Sequence, residues 1–181
     1  MTDMARPQTV TRTELIVDGS DQTYRRFIYD LFAMAKLIEE GRSRLARAAG
    51  LKSPQWSILM VIAEAHDFDG TNVRDVAEKL GLHSSFTVLH VGQLIKQGLI
   101  RQFRSLSDGR TKILRLTKKG EALIRRMAPA QQAANDALFR SISAKEFLLM
   151  SHCCRAIISG GETVLAAVEL EVAKLSQLPK G

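Results

Sequence analysis

The sequence predicts a mainly α-helical protein with one small β-hairpin. Two observations carry that expectation. Apolar residues recur at three- and four-residue spacing over most of the chain, the period of an amphipathic helix. That period gives way to short alternating runs only once, between Leu99 and Leu116, where turn residues separate two strand-like segments.

Taken in order, Met1 to Ser20 contains Pro7, several threonines and no periodicity. It reads as a flexible tail, and it lacks the apolar core of a secretory signal. From Gln22 a helix begins, with Asp21 as candidate cap. Tyr24, Phe27, Ile28, Leu31, Met34, Ala35 and Ile38 recur at helical spacing, and Leu45 extends the stripe. A helix of this length packs against a partner subunit or a second long helix. Ser53-Pro54-Gln55 starts the next helix, with Ser53 at the cap and Pro54 at the first helical position. Its buried stripe is Trp56, Leu59, Met60 and Ala63. His66 to Gly70 is a polar break. Thr71 or Asn72 then caps Val73 to Leu80, which Gly81 ends. Ser84 or Ser85 caps a helix to about Gln97, stopped by Gly98. Its inner face is expected to be Phe86, Val91, Leu94 and Ile95, with Ser84, Ser85, Thr87 and His90 facing out.

Leu99, Ile100 and Phe103 mark a first short strand, and Ile113, Leu114 and Leu116 around Arg115 a second. Ser105 to Gly109 is turn chemistry, so the two should pair as a hairpin. Thr117 caps a helix running towards Phe139, with a bend near Pro129. Ser143 to Glu146 has the capping-box pattern. The last apolar stretch carries Leu149, Cys153, Ile157, Val164, Val168 and Leu175, interrupted at Gly160-Gly161.

The chain has 181 residues, 45% hydrophobic and 25% charged, a composition that affords a packed core. No stretch approaches the ~18 to 20 apolar residues of a membrane span, so no membrane partner is expected. The two cysteines, Cys153 and Cys154, are adjacent. That excludes a disulfide framework and a four-cysteine zinc site, and points to a cytoplasmic protein. Neighbouring helix residues diverge by about 100°, so both read as packing cysteines rather than a disulfide pair. His83, His90, and His66 beside Asp67 and Asp69, lack compact ligand spacing and read as surface or capping residues. The chain shows no phosphate loop, nucleophile elbow or histidine metal motif. Neither an enzyme nor a cofactor is expected.

The net charge is +7. From Thr71 to Gly120 there are ten basic and three acidic residues, so this window holds the whole excess. A focused basic patch attracts polyanions, nucleic acid first among them. In the same window lie a short helix, a glycine turn, a second helix and a basic hairpin. That is the order of a winged helix-turn-helix, whose second helix enters the major groove of double-stranded DNA. Arg104, Arg110 and Lys112 would crowd the wing, where a long arginine can enter the minor groove.

Four pieces of the chain carry a resemblance to a known family. They are Val73-Arg-Asp-Val-Ala-Glu-Lys-Leu-Gly-Leu82, Leu94-Ile-Lys-Gln-Gly-Leu-Ile100, Asp108-Gly-Arg110 and Leu116-Thr-Lys-Lys-Gly120. In order and spacing they resemble the multiple-antibiotic-resistance regulator (MarR) family of winged-helix transcription factors, over about Gln22 to Leu178. The resemblance implies a dimerisation helix over 21–48, a DNA-binding domain over 53–117 and dimerisation helices over 118–178, after a 1–20 tail. It implies a homodimeric repressor, released from a pseudo-palindromic operator by a small aromatic or phenolic ligand or by a stress signal. Carried onto this chain, Asp108 orients Arg110 and Arg110 reaches the minor groove. Ser84, Ser85, Thr87, Val88 and Leu89 face DNA, with His90 beside them. The family's common pattern has Ser or Thr at the position of Val88 and often Arg at that of Leu89. A ligand pocket between arms and winged helix would be bordered by Ile38, Arg42, Trp56 and Met60, with Arg42 placed for an anion. The alternative is a winged helix used for protein interaction without operator binding.

Overall fold

The computed structural model describes residues 6–65, 70–104 and 111–176. They form two compact units, Met1–Ala134 and Asn135–Gly181. The first holds α1 (Gln22–Ala48), α2 (Ser53–Glu64), α3 (Val73–Leu80), α4 (Ser84–Lys96), β1 (Ile100–Arg104) and β2 (Lys112–Leu116). Helix α5 (Lys118–Phe139) runs across the boundary, and α6 (Ala144–Ser159) and α7 (Gly161–Ser176) complete the second unit.

The core of the first unit is built around α2. Ile58, Leu59, Val61 and Ile62 are all buried, on more than one side of the helix, so α2 needs neighbours on several faces. They are Ala46 of α1, Val76 of α3, Val91 and Leu94 of α4, Ile100, Leu114 and Leu116 of the hairpin, and Leu123 and Met127 of α5. Trp56 is part of this cluster, 2% exposed.

Helix ends follow local hydrogen bonding, not always as expected. At α2 the cap is supplied by Gln55, whose side-chain oxygen accepts from the Lys52 amide at 2.8 Å. Ser53 is already helical, and its hydroxyl donates to Glu39 of α1 at 2.5 Å. Of the two candidates at α3, Asn72 is the cap, accepting from the Asp75 amide at 3.0 Å. Thr71 instead exchanges backbone hydrogen bonds with Leu114, at 2.6 and 3.4 Å. This bridge ties the start of α3 to the hairpin, a pairing with no local sequence signal. Gly81 ends α3 at φ 62°, a left-handed conformation that other residues adopt at a cost. Thr117 caps α5: its hydroxyl accepts from the Gly120 amide at 3.1 Å and donates to the Gly98 carbonyl at 2.6 Å.

The hairpin is antiparallel, with Ile100 opposite Leu116 and Arg104 opposite Lys112. Helix α5 continues through Pro129 without a break. The capping box of α6 is present: Ser143 Oγ accepts from the Glu146 amide and Glu146 accepts from the Ser143 amide. Gly160 ends α6 and Gly161 opens α7, so the glycine pair divides the last apolar stretch into two helices.

Within the segment expected to be a flexible tail, the described residues 6–20 carry local structure. Residues 13–15 form a 3-10 turn, and Val17 and Ser20 pair as a bridge. Asp21 does not cap α1 through its side chain. Its buried carboxylate accepts from the amide and hydroxyl of Thr9, at 2.6 and 2.7 Å, and pairs with Arg25 at 2.9 Å. This clasp folds the segment back onto the start of the helix.

Candidate nucleic-acid interface

Helix α4 follows the turn Gly81-Leu82-His83, with His83 as N-cap residue. Ser84 and Ser85 both lie within the helix and are exposed. The buried face is Thr87, His90, Val91 and Leu94, spaced i, i+3, i+4, i+7 as a core-facing stripe should be. Thr87 and His90 were expected to face outward; both are corrected. Thr87 is fully buried and its hydroxyl donates to the His83 carbonyl at 3.1 Å. His90 is 5% exposed, its ring edge-on to Phe86 at 4.4 Å. Phe86, expected inside, is 40% exposed. Val91 and Leu94 lie on the expected inner face; the arc is completed by Thr87 and His90, two polar residues standing in its apolar stripe, rather than by Phe86. Val88 and Leu89 are each 57% exposed. Gln93 is held by Gln55 of α2 at 2.9 Å.

The wing carries two like-charge pairs. Arg104 stands opposite Lys112, and Arg101 opposite Arg115. Cations directly opposite each other weaken a sheet. Phe103 eases one pair: the Arg101 and Arg115 guanidinium carbons lie 4.7 and 5.9 Å from its ring centre, within cation–π range. Arg104 and Lys112 are exposed. A polyanion would turn their repulsion into attraction. Asp108 and Arg110, with the rest of 105–110, lie outside the described residues, as do His66, Asp67 and Asp69.

Not every cation in the basic window is available to a partner. Lys79 pairs with Glu64 at 2.7 Å, and Lys119 donates to the Gln97 carbonyl at the end of α4 at 2.8 Å. Arg74 and Lys96 are exposed.

The four expected ligand residues are not brought together. Trp56 lies in the core and Met60 packs against it. Ile38 is half-buried. Arg42 pairs with Glu39 at 3.7 Å and borders a cavity of about 240 Å³ with Ser53, Ser57, Leu80, Leu82 and Phe86. Ile38, Trp56 and Met60 do not line it. Cys153 is exposed and Cys154 half-buried, so the expected packing role is not met at Cys153.

A helix-turn-helix followed by a basic two-stranded wing, with long helices on either side in sequence, defines a winged-helix fold. Residues 49–111 match the sequence profile of the MarR family. CouR from Rhodococcus jostii, solved bound to p-coumaroyl-CoA, superposes with a TM-score of 0.66 at 24% identity, over 72% of this chain and 90% of that one. A MarR-family transcriptional regulator from a Rhodococcus species gives 0.63 at 22% identity, over 76% and 96%. MOSR from M. tuberculosis, solved in complex with DNA, gives 0.55 at 21% identity, over 77% and 96%. No curated protein sequence matches. At these identities the likeness is one of fold: the winged-helix segment carries the MarR family pattern, and the chain has the fold of MarR-family regulators.

Proposed function

We propose that the chain is a homodimeric, sequence-specific DNA-binding transcriptional regulator, a repressor of MarR type. The observation that carries this reading is the wing: the exposed Arg104 and Lys112 face each other across its strands, an arrangement unfavourable in isolation and favourable against phosphates. It stands in sequence directly after a helix whose first turn exposes Ser84 and Ser85. The DNA complex of MOSR, a protein of the same fold, supports it. In this reading Ser84, Ser85, Val88 and Leu89 face the major groove, and Arg104, Lys112, Asp108 and Arg110 serve the wing. Release by a small molecule is supported by CouR, solved with p-coumaroyl-CoA; the cavity beside α1 is lined by both Arg42 and its ion-pair partner Glu39.

A gel shift on the region upstream of the chain's own gene tests the reading. A specific complex that weakens steeply with salt is expected. Footprinting should show two half-sites about one helical turn, or ~10 base pairs, apart. Arg110→Ala should weaken binding by about 1 to 3 kcal/mol, the scale of one good arginine contact, with the fold intact. The exposed Val88 and Leu89 favour one rival, a winged helix that docks on protein. Absence of any sequence-dependent DNA complex would overturn the DNA-binding reading.

A further inference from the structure

We propose that the exposed face of α4 reads the 5-methyl groups of thymine, so that A·T pairs rather than guanine edges fix the centre of each half-site. The inference rests on the DNA-binding reading above and specifies its chemistry.

Guanine is ordinarily read by Arg or Lys, and adenine by Asn or Gln, through paired hydrogen bonds in the major groove. The outward arc of α4 offers almost none of these. Thr87 and His90 point into the core, and Gln93 is engaged by Gln55. What remains outward is short or apolar. At about 100° per residue, Ser85, Val88, Leu89 and Lys96 lie within about 60° of Gly92. Gly92 occupies the middle of the arc, and a Cβ built there meets nothing within 4 Å.

Each part of this face has a counterpart in the groove. Val88 and Leu89 put two branched apolar side chains into water, each 57% exposed. The thymine methyl is the apolar group the major groove presents. Gly92, without a side chain, lets the helix axis approach the base edges one turn later. Lys96 in the last turn is a cation for a phosphate, and Arg104 and Lys112 on the wing add to the same complementarity. A protein partner would equally accept Val88 and Leu89, but it would not account for the facing cations of the wing.

The full chain should first be used to select from random duplexes of about 30 base pairs, long enough for two half-sites. The recovered duplex is then synthesised with deoxyuridine in place of thymidine, which removes only methyl groups. Each methyl removed within a half-site should weaken binding about fourfold, the partition cost of one methyl group. In the Val88→Ala, Leu89→Ala double variant the ratio between thymine and uracil duplexes should fall below about twofold, since truncation removes the area that buries the methyl. Both side chains are exposed, so a thermal melt should show the variant folded; the uracil series on the unaltered chain decides the matter if it is not. Gly92→Ala supplies an independent readout. It should raise the melting midpoint by about 2 to 4 °C, because alanine is the better helix former, while weakening DNA binding severalfold. Equal affinity for thymine and uracil duplexes, or half-sites fixed by G·C pairs, overturns the inference and leaves the DNA-binding reading standing. Recovery of no duplex at all overturns both.

Discussion

Single residues decide where this fold is tight and where it opens. Gly120 lies in the first turn of α5 against the backbone carbonyl of Leu99, where a Cβ would overlap. The neighbour is main chain and cannot rotate away. Gly120→Ala should therefore destabilise the first unit by about 1 to 3 kcal/mol, the usual range for overpacking, read as a melting midpoint lowered by about 3 to 10 °C. An unchanged midpoint would mean the approach of α5 to the Leu99 backbone is looser than described. Asp21 gives a pH signature. The Thr9 hydroxyl, then the Thr9 amide, and the charge of Arg25 hold its carboxyl below the ordinary carboxylate range. A depressed carboxyl stabilises the folded form above the unfolded value, about pH 3.9, and loses that contribution as pH falls through the folded value. Hydrogen exchange at the Val17 and Ser20 amides should thus be protected at neutral pH and accelerate only below about pH 4; Asp21→Asn should accelerate it at pH 7. Such long-range partners are invisible in a sequence window: Asp21 looks like a cap because its locality is that of a cap, and Thr9 lies twelve residues away. Thr87 and His90 misled in a different way. Their positions fit the apolar stripe of α4, but their chemistry argued for the surface. The Thr87 hydroxyl resolves the conflict by donating to the helix backbone, a device available to short polar side chains inside helices.

At the scale of elements, the wing separates stability from function. Lys112 faces Arg104 across the strands, so Lys112→Glu would convert a repulsive pair into an attractive one. Cross-strand pairs are worth roughly 0.2 to 1 kcal/mol, and at this exposed position the lower end applies. The melting midpoint should therefore stay level or rise slightly. Operator affinity should fall, with the slope of log affinity against log salt shallower by about one, because one phosphate is no longer neutralised by a lysine. If both stability and affinity fell together, the pair would be structural and the wing assignment would fail. The hairpin itself was legible because alternation, turn residues and a cap at Thr117 agree over a few residues. The bridge between Thr71 and Leu114 was not. A single paired residue has no periodicity to display, and Thr71 looked like one of two interchangeable caps. The start of helix α6 is legible in the sequence, since the reciprocal bonds of Ser143 and Glu146 are local.

At the scale of the whole molecule, the unresolved demand is apolar surface. In α6 and α7, Leu148, Leu149, Ile157, Ile158, Val164, Leu165, Val168 and Leu175 are each more than half exposed, and among the described residues neither helix buries one fully. In α1, Tyr29, Phe32 and Leu37 are 60% exposed or more. Arrays of this size on one chain mark an association surface. The sequence showed the stripes but not that they stay uncovered, because periodicity reports which face is apolar and not what meets it. A second copy is the proposed cover, since two-fold pairing brings identical apolar faces together and also sets two copies of α4 against a pseudo-palindrome. Sedimentation at micromolar concentration should then give about 40 kDa, twice the 20.1 kDa of the chain. Ile158, 75% exposed, is the sharpest probe. Ile158→Asp would cost nothing on a face that stays in water, but a charge buried without a partner at a dimer interface costs several kcal/mol. The variant should shift the dimer towards 20 kDa and weaken operator binding in step, because a monomer engages one half-site only. A wild-type chain that sediments as a stable 20 kDa species would refute the dimer. A variant that stays at 40 kDa would place Ile158 outside the interface.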